Sequence, residues 1–172
     1  MTADGKTRCS ACAASIESDS EFCPRCGSIL IGSVTCEHHP SIEAVGACVI
    51  CATPFCSQCG AASGLPFLCN LHSSYEVYEG MARIYGTFDP VHSEFLRSCL
   101  EQEGLHPFVY SRKASSIHIG GPEYTGFVSS GDSPRIIVNE FKLLVPCGEV
   151  MEAEAILKDL DPSGGPTPFP LL

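Results

Sequence analysis

The chain is expected to be a small multi-module protein, with two cysteine-built modules followed by an α+β domain. Three observations predict this. The length of 172 residues leaves room for one ordinary domain or a few small ones. Of its 12 cysteines, all but Cys99 and Cys147 fall before position 70, so the excess belongs to one region rather than to the composition. After Ser74 cysteine gives way to the amphipathic periodicity of an ordinary domain.

Charge and hydropathy narrow the function classes. The formal net charge is −10, with ten basic residues against twenty acidic ones, and the acidic excess recurs on both sides of Tyr75. A sequence-independent grip on phosphate needs a basic face, and no run of three basic residues occurs anywhere, so nucleic acid is not an expected partner and acidic membrane surfaces are disfavoured. No apolar run approaches the roughly 18 to 20 residues that span a bilayer. Met1 to Ser20 is polar, without the apolar centre of a signal peptide, so a cytoplasmic location is expected. Thiols stay reduced there, and a cysteine-rich segment then reads as metal-binding rather than disulfide-bonded.

Spacing gives that reading its content. Over residues 1–31, Cys9-x2-Cys12 and Cys23-x2-Cys26 stand ten residues apart, and a two-residue gap lets one tight turn aim two sulfurs at a single tetrahedral ion. In Phe22-Cys23-Pro24-Arg25-Cys26-Gly27 the proline presets the turn, and Gly27 can take the positive φ that brings backbone N–H groups to the thiolates. So small a segment builds no core without a staple. Arg8 to Leu30 resembles the short zinc ribbons at the ends of many bacterial and archaeal proteins, with Ile16 after the first pair and a closing Phe-Cys-x2-Cys-Gly-x2-Leu. Ala13 departs from the glycine common at the first turn of such ribbons.

Residues 34–74 continue the pairs: Cys36-x2-His39, Cys48-x2-Cys51, Cys56-x2-Cys59 and Cys69-x2-His72, separated by eight, four and nine residues. Eight ligands imply two zinc ions, hence three Zn2+ for the chain. The middle pairs are too close in sequence to close two sequential sites, so an interleaved arrangement is expected. Cys36, His39, Cys56 and Cys59 would share one ion, and Cys48, Cys51, Cys69 and His72 the other. Spacing and Pro40 favour His39 over His38. The stretch Cys36-Glu37-His38-His39-Pro40, then Ala44 to Cys51, then Pro54-Phe55-Cys56-Ser57-Gln58-Cys59, resembles the bacterial versions of the B-box class of double-zinc modules. The closing Cys69 and His72 depart from the animal pattern, which usually ends in two histidines. Related RING domains have a typical gap of two residues between the fourth and fifth ligands, against four here, so ligase activity is not expected. Catalytic zinc is not expected either, because each set already holds four protein ligands.

The α+β domain is expected over 79–161. Met81 to Phe88 reads as a strand centred on Ile84 and Tyr85. Asp89-Pro90 opens a helix, Val91, Phe95, Leu96, Cys99 and Leu100 make its apolar stripe, and Gly104 ends it. Leu105 to Tyr110 is a second strand. Arg112 to Pro134, rich in Gly, Pro and Ser, reads equally as a ligand lid, a pair of short strands or a mobile insertion. Gly120-Gly121-Pro122 lacks the Lys-Ser or Lys-Thr of a phosphate loop. Arg135 to Val138 and Phe141 to Val145 are strand-like. A helix over Glu149 to Leu160 then buries Val150, Ala153, Leu157 and Leu160, and a Pro- and Gly-rich tail of 162–172 is expected to be disordered.

This order resembles a signal-transducing family with a ferredoxin-like fold related to PII regulators. The residues that carry the likeness are Phe88-Asp89, Glu94-Phe95-Leu96, Leu100 to Leu105, Leu143 to Pro146 and Glu152 to Leu157. The resemblance implies regulation or ligand sensing and brings no catalytic residues. Cys99 and Cys147 read as core or junction thiols. His92, His106 and His118 are scattered, and no nucleophile and base pair is assembled from them. The expected function is a non-enzymatic protein-interaction or regulatory adaptor, with a protein partner complementary to an acidic chain. The alternative is a small-molecule or redox sensor acting through the PII-like domain.

Overall fold

A computed structural model describes residues 6–61, 66–111 and 140–160. The expected 112–134 loop, the 135–138 strand, His118 and the 162–172 tail lie outside them.

The N-terminal segment is a hairpin followed by a second turn. Strands β1 (Lys6–Arg8) and β2 (Ser15–Glu17) pair antiparallel with Thr7 opposite Ile16, and Phe22 bridges Ile29 beyond the second turn. Its buried cluster is Cys9, Ile16, Cys23 and Cys26. Ile16 is thus the one non-cysteine side chain there, which is why alternation alone could not hold this segment.

Among its described residues the next segment has no helix. Two short hairpins, β3 (Gly46–Ala47) with β4 (Pro54–Phe55) and β5 (Gly60–Ala61) with β6 (Leu68–Cys69), hold its turns. Its buried Cys48, Val49, Ile50, Phe55 and Phe67 belong to the same core cluster as Ala82, Ile84, Leu143 and Val145 of the following sheet. The apolar interior therefore runs on from the cysteine-rich segment into the α+β part.

That part is a four-stranded sheet in the order β7-β8-β10-β9, from β7 (Val77–Tyr78), β8 (Met81–Thr87), β9 (Phe108–Ser111) and β10 (Phe141–Pro146). Both β8 and β9 run antiparallel to the intervening β10, so they are parallel to each other and joined by a crossover, helix α1 (Pro90–Gln102). Helix α2 (Val150–Leu160) follows β10 through a 3₁₀ turn at Cys147–Glu149. Both helices pack on β8 and β10 and against each other, which puts them on one face of the sheet.

Local chemistry accounts for the ends of α1. The Asp89 carboxylate accepts the Val91 N–H at 2.8 Å, and Pro90 occupies the first turn, where its missing donor leaves no gap. At the other end Gly104 takes φ +87°. There Leu105 N–H donates to Leu100 O at 3.1 Å and Gly104 N–H to Glu101 O at 3.1 Å, a Schellman closure. That closure keeps Leu105 buried outside the sheet, so the strand starts at Phe108 and not at Leu105.

The helix faces differ from the expected stripes. Val91 is 75% exposed and Phe95 55%, while Ser93, Leu96 and Leu100 face the sheet. Ser93 is tolerated there because its hydroxyl donates to Pro90 O at 2.9 Å and leaves no orphan polar group. In α2, Val150, Ala153 and Leu157 are buried as expected, but Leu160 at the C-terminal end is exposed.

Tyr75 ties the cysteine-rich half to α2: its hydroxyl donates to Glu154 Oε1 across the two parts. Burial first, and then the neighbouring carboxylate, hold this phenol above its ordinary value. A raised folded value means that the contribution is complete below about pH 10, where the unfolded phenol ionises, and fades as pH rises beyond it. Tyr75→Phe should lower stability by about 2 kcal/mol at neutral pH. Unfolding midpoints taken between pH 8 and pH 11 should fall more steeply for the native chain than for Tyr75→Phe, and parallel curves would dismiss this bond.

Candidate metal centres

The structure gathers the twelve side chains singled out by spacing into three groups of four. They are Cys9, Cys12, Cys23 and Cys26; Cys36, His39, Cys56 and Cys59; and Cys48, Cys51, Cys69 and His72. Within each group all potential ligand atoms lie within 4.8 Å of one another. The second and third groups interleave, as the four-residue gap between Cys51 and Cys56 requires. Each group could hold a metal ion.

The turns that aim these sulfurs share one construction. In the first, Ala13 N–H donates to Cys9 O at 2.9 Å; in the second, Gly27 N–H to Cys23 O at 2.8 Å; in a third, Ala52 N–H to Cys48 O at 2.8 Å. All three donors have positive φ, +58° for Ala13, +79° for Gly27 and +58° for Ala52. Three of the four Cys-x2-Cys turns thus put a left-handed residue directly after the second cysteine, while the fourth makes the same bond, from Gly60 N–H to Cys56 O at 3.1 Å, without one. Alanine accepts that conformation at two of the three positions, at a strain of about 1 kcal/mol each. Ala13 thus closes its turn in place of the glycine common in zinc ribbons.

Distances fit a tetrahedral cation. Around a zinc ion with Zn–S near 2.3 Å and Zn–N near 2.0 Å, ligand atoms stand about 3.5 to 3.8 Å apart. The sulfurs of Cys9 and Cys26 are 3.7 Å apart, and those of Cys12 and Cys23 3.6 Å. His39 Nδ1 lies 3.8, 3.4 and 3.3 Å from the sulfurs of Cys36, Cys56 and Cys59. His72 Nδ1 lies 3.5 Å from Cys48 Sγ and 3.2 Å from Cys69 Sγ. Both histidines face their groups through Nδ1. His38 instead packs edge-on against Phe55, ring centroids 5.2 Å apart, so the histidine beside Pro40 is the one brought to the sulfurs.

Electrostatics point the same way. Local desolvation opposes ionisation throughout, yet backbone N–H groups hold at least one thiol low in each group: Cys9 to about 7 through Cys12 and Ala11, and Cys48 to about 7 through Cys51 and Cys69. In the second group Cys36 falls to about 6 through the backbone of Cys56 and His38, and then through His39, and Cys56 is lowered too, through the backbone of Gln58 and then His39. Other thiols go the other way. Burial pushes Cys23 up to about 12, and burial together with neighbouring thiolates pushes Cys59 and Cys69 up to about 11. Several thiolates this close repel, and only a bound cation lets all of them stay ionised at neutral pH. Sulfur and imidazole donors in fours are the set that a zinc ion takes.

Other cysteines and histidines stay outside these groups. Cys147 is buried at the end of β10, where its N–H donates to Gly80 O at 2.9 Å and burial pushes its thiol up to about 11. Cys99 is half-buried on α1. The His92 ring stacks on Tyr85, and His106 Nδ1 lies 2.8 Å from Glu149 Oε1.

One residue essential to this arrangement has no mark in the sequence. Phe67 is buried, and a Cβ added to Gly46 would lie 2.7 Å from its ring, one added to Gly60 2.7 Å from its Cζ, and one added to Gly27 2.8 Å from its Cβ. The Phe67 side chain thus rests where three glycines leave room, two of them against its ring, each within two residues of a metal-group cysteine.

No protein family, curated protein or solved structure matches the chain. Among the described residues, no helix is long and apolar enough to cross a membrane.

Proposed function

We propose that the chain is a non-enzymatic zinc protein, an adaptor that presents a rigid surface to a protein partner in an interaction or regulatory role. The observation that carries this is the completeness of all three ligand sets. Each offers four Cys or His side chains, whereas a catalytic zinc keeps a position open beside three protein ligands. Zinc in such closed sets serves folding, and the product is a fixed surface on a segment with little core of its own.

Finer readings have their own support. The hairpin and second turn of residues 6–30 favour a zinc ribbon, and the interleaved groups over 36–72 favour a B-box-like module. A βαβ crossover spanning a third strand, with both helices on one face, favours a ferredoxin-like domain. In this reading β7, contributed from before the domain, stands at the edge beside β8 where a closing strand would pair. The formal charge of −10 makes a basic protein the natural complement, and ten zinc-bound thiolates outweigh three divalent ions to deepen that charge.

Elemental analysis of the chain purified under reducing conditions should find three zinc ions; iron, or fewer than three ions, would displace the zinc reading or one of its groups. The zinc-loaded chain should then capture a protein from a source lysate that the chelated chain does not. A small molecule that raises the melting temperature through residues after Gly80 would instead establish the chain as a sensor.

A further inference from the structure

We propose that the three centres take up and release metal as one cooperative unit, coupled through Phe67 and the turn at Gly27. This rests on the zinc reading above and concerns how those same sites are regulated.

Three independent modules would each bind an ion without reference to the others. The backbone argues otherwise. The turn that carries Cys23 and Cys26 is bonded directly to the segments that carry Cys48 and Cys69: Ala47 N–H donates to Gly27 O at 2.8 Å, and Phe67 N–H to Cys26 O at 3.0 Å. Val49 N–H in turn donates to Phe67 O at 3.2 Å. Ala47 and Val49 flank Cys48, so the first and third groups share hydrogen bonds one residue away from their ligands.

The second group joins through the other side. Asn70 N–H donates to Cys59 O at 2.9 Å, Gly60 pairs with Cys69 across the β5 and β6 hairpin, and Gly60 lies under the Phe67 ring. Every group therefore touches Phe67 or the residues beside it. An ion that orders one turn fixes one wall of the Phe67 site, and the next ion then orders less chain on binding. The ordering entropy is shared, so each ion raises the affinity for the others, and linkage makes the effect mutual.

Gly27 separates docking from turn formation. Ala13 and Ala52, both exposed, show that the same left-handed position accepts alanine. At Gly27 a Cβ would stand 2.2 Å from Ala47 O, a backbone atom that cannot swing away. Gly27→Ala therefore keeps a turn of a kind the chain already uses, at the backbone strain that Ala13 and Ala52 already bear, and beyond that strikes the contact between groups.

The test titrates the full-length reduced apoprotein with Zn2+ and counts ions per chain by native mass spectrometry. At sub-stoichiometric zinc the native chain should distribute between the empty and three-ion species, with little carrying one or two. One- and two-ion species at statistical abundance would overturn the coupling while leaving the zinc reading intact, and a chain that takes up no zinc would overturn both. In Gly27→Ala the intermediate species should appear, and a competing chelator should withdraw the first ion at about tenfold lower chelator concentration than from the native chain. Unchanged release from Gly27→Ala would overturn the role given to this contact. The native distribution decides the coupling even if the variant does not fold.

Discussion

Chelating the metal from the reduced chain should unfold residues 6–72 while leaving the helices on their sheet. The buried cluster of the first segment is three cysteines and Ile16. Burial of one isoleucine contributes about 2 kcal/mol, whereas a structural zinc supplies about 10 to 16 kcal/mol in isolated zinc-binding peptides. Apolar burial therefore cannot replace the ion. The α+β part differs, since it has eight almost fully buried apolar side chains of its own, Ala82, Ile84, Leu96, Leu100, Leu143, Val145, Val150 and Ala153, beside those it shares with the cysteine-rich segment. Amide hydrogen exchange with and without chelator, in the presence of reductant, should show protection lost over 6–61 and 66–72 but kept over 81–102 and 141–160. Added zinc should restore it. Protection that survives chelation in the first segment would remove the metal from the account of its stability. Acid should act as chelation does, because protons compete with the ion for thiolates and imidazoles, and stability of this half should fall as pH drops.

Replacing Phe67 should produce the next largest loss. Phe67→Ala empties a site bounded by Gly27, Gly46 and Gly60, and none of the three has a side chain that could move into the void. A buried phenylalanine truncated to alanine costs about 3 to 5 kcal/mol, and a site that cannot collapse belongs at the upper end of that range. For the zinc-loaded chain this corresponds to a melting temperature lower by about 10 °C. Calorimetry of Phe67→Ala against Phe67→Leu, which refills part of the volume, checks it. Equal and small shifts for the two would mean that the ring is not held as the contacts describe. Converse substitutions that add bulk, Gly46→Ala or Gly60→Ala, should also destabilise, since each new Cβ would meet the Phe67 ring at 2.7 Å.

The metal groups were the most legible part of the chain. A two-residue gap is a local geometric demand, so every Cys-x2-Cys and Cys-x2-His pair could be read without knowing the fold, and the short gap between Cys51 and Cys56 was enough to imply interleaving. The ends of α1 were legible for the same reason, because Asp89, Pro90 and Gly104 act within one turn of themselves. Its faces were less so. Val91 and Phe95 are apolar and correctly spaced, yet the helix turns Ser93, Leu96 and Leu100 to the sheet. Hydropathy alone gave no reason to prefer Ser93, whose burial depends on a hydroxyl bond back to Pro90 O.

The candidate ligand pairs and the helix caps follow from the sequence itself, since each is set between residues a few positions apart and leaves a regular spacing behind. The joining of those pairs, as of Cys9 with Cys26 and Cys48 with His72, 17 and 24 positions apart, was legible because only a few Cys-x2-Cys and Cys-x2-His pairs had to be matched. Tertiary structure alone decided the place of Phe67, the seating of Gly27 on Ala47 and the bond from Tyr75 to Glu154. Apart from Phe67 against Gly60, those contacts join residues from 18 to 79 positions apart. Contacts that distant have no period to betray them, and they depend on how the turns are stacked in space, which the metal groups hold in place but do not spell out.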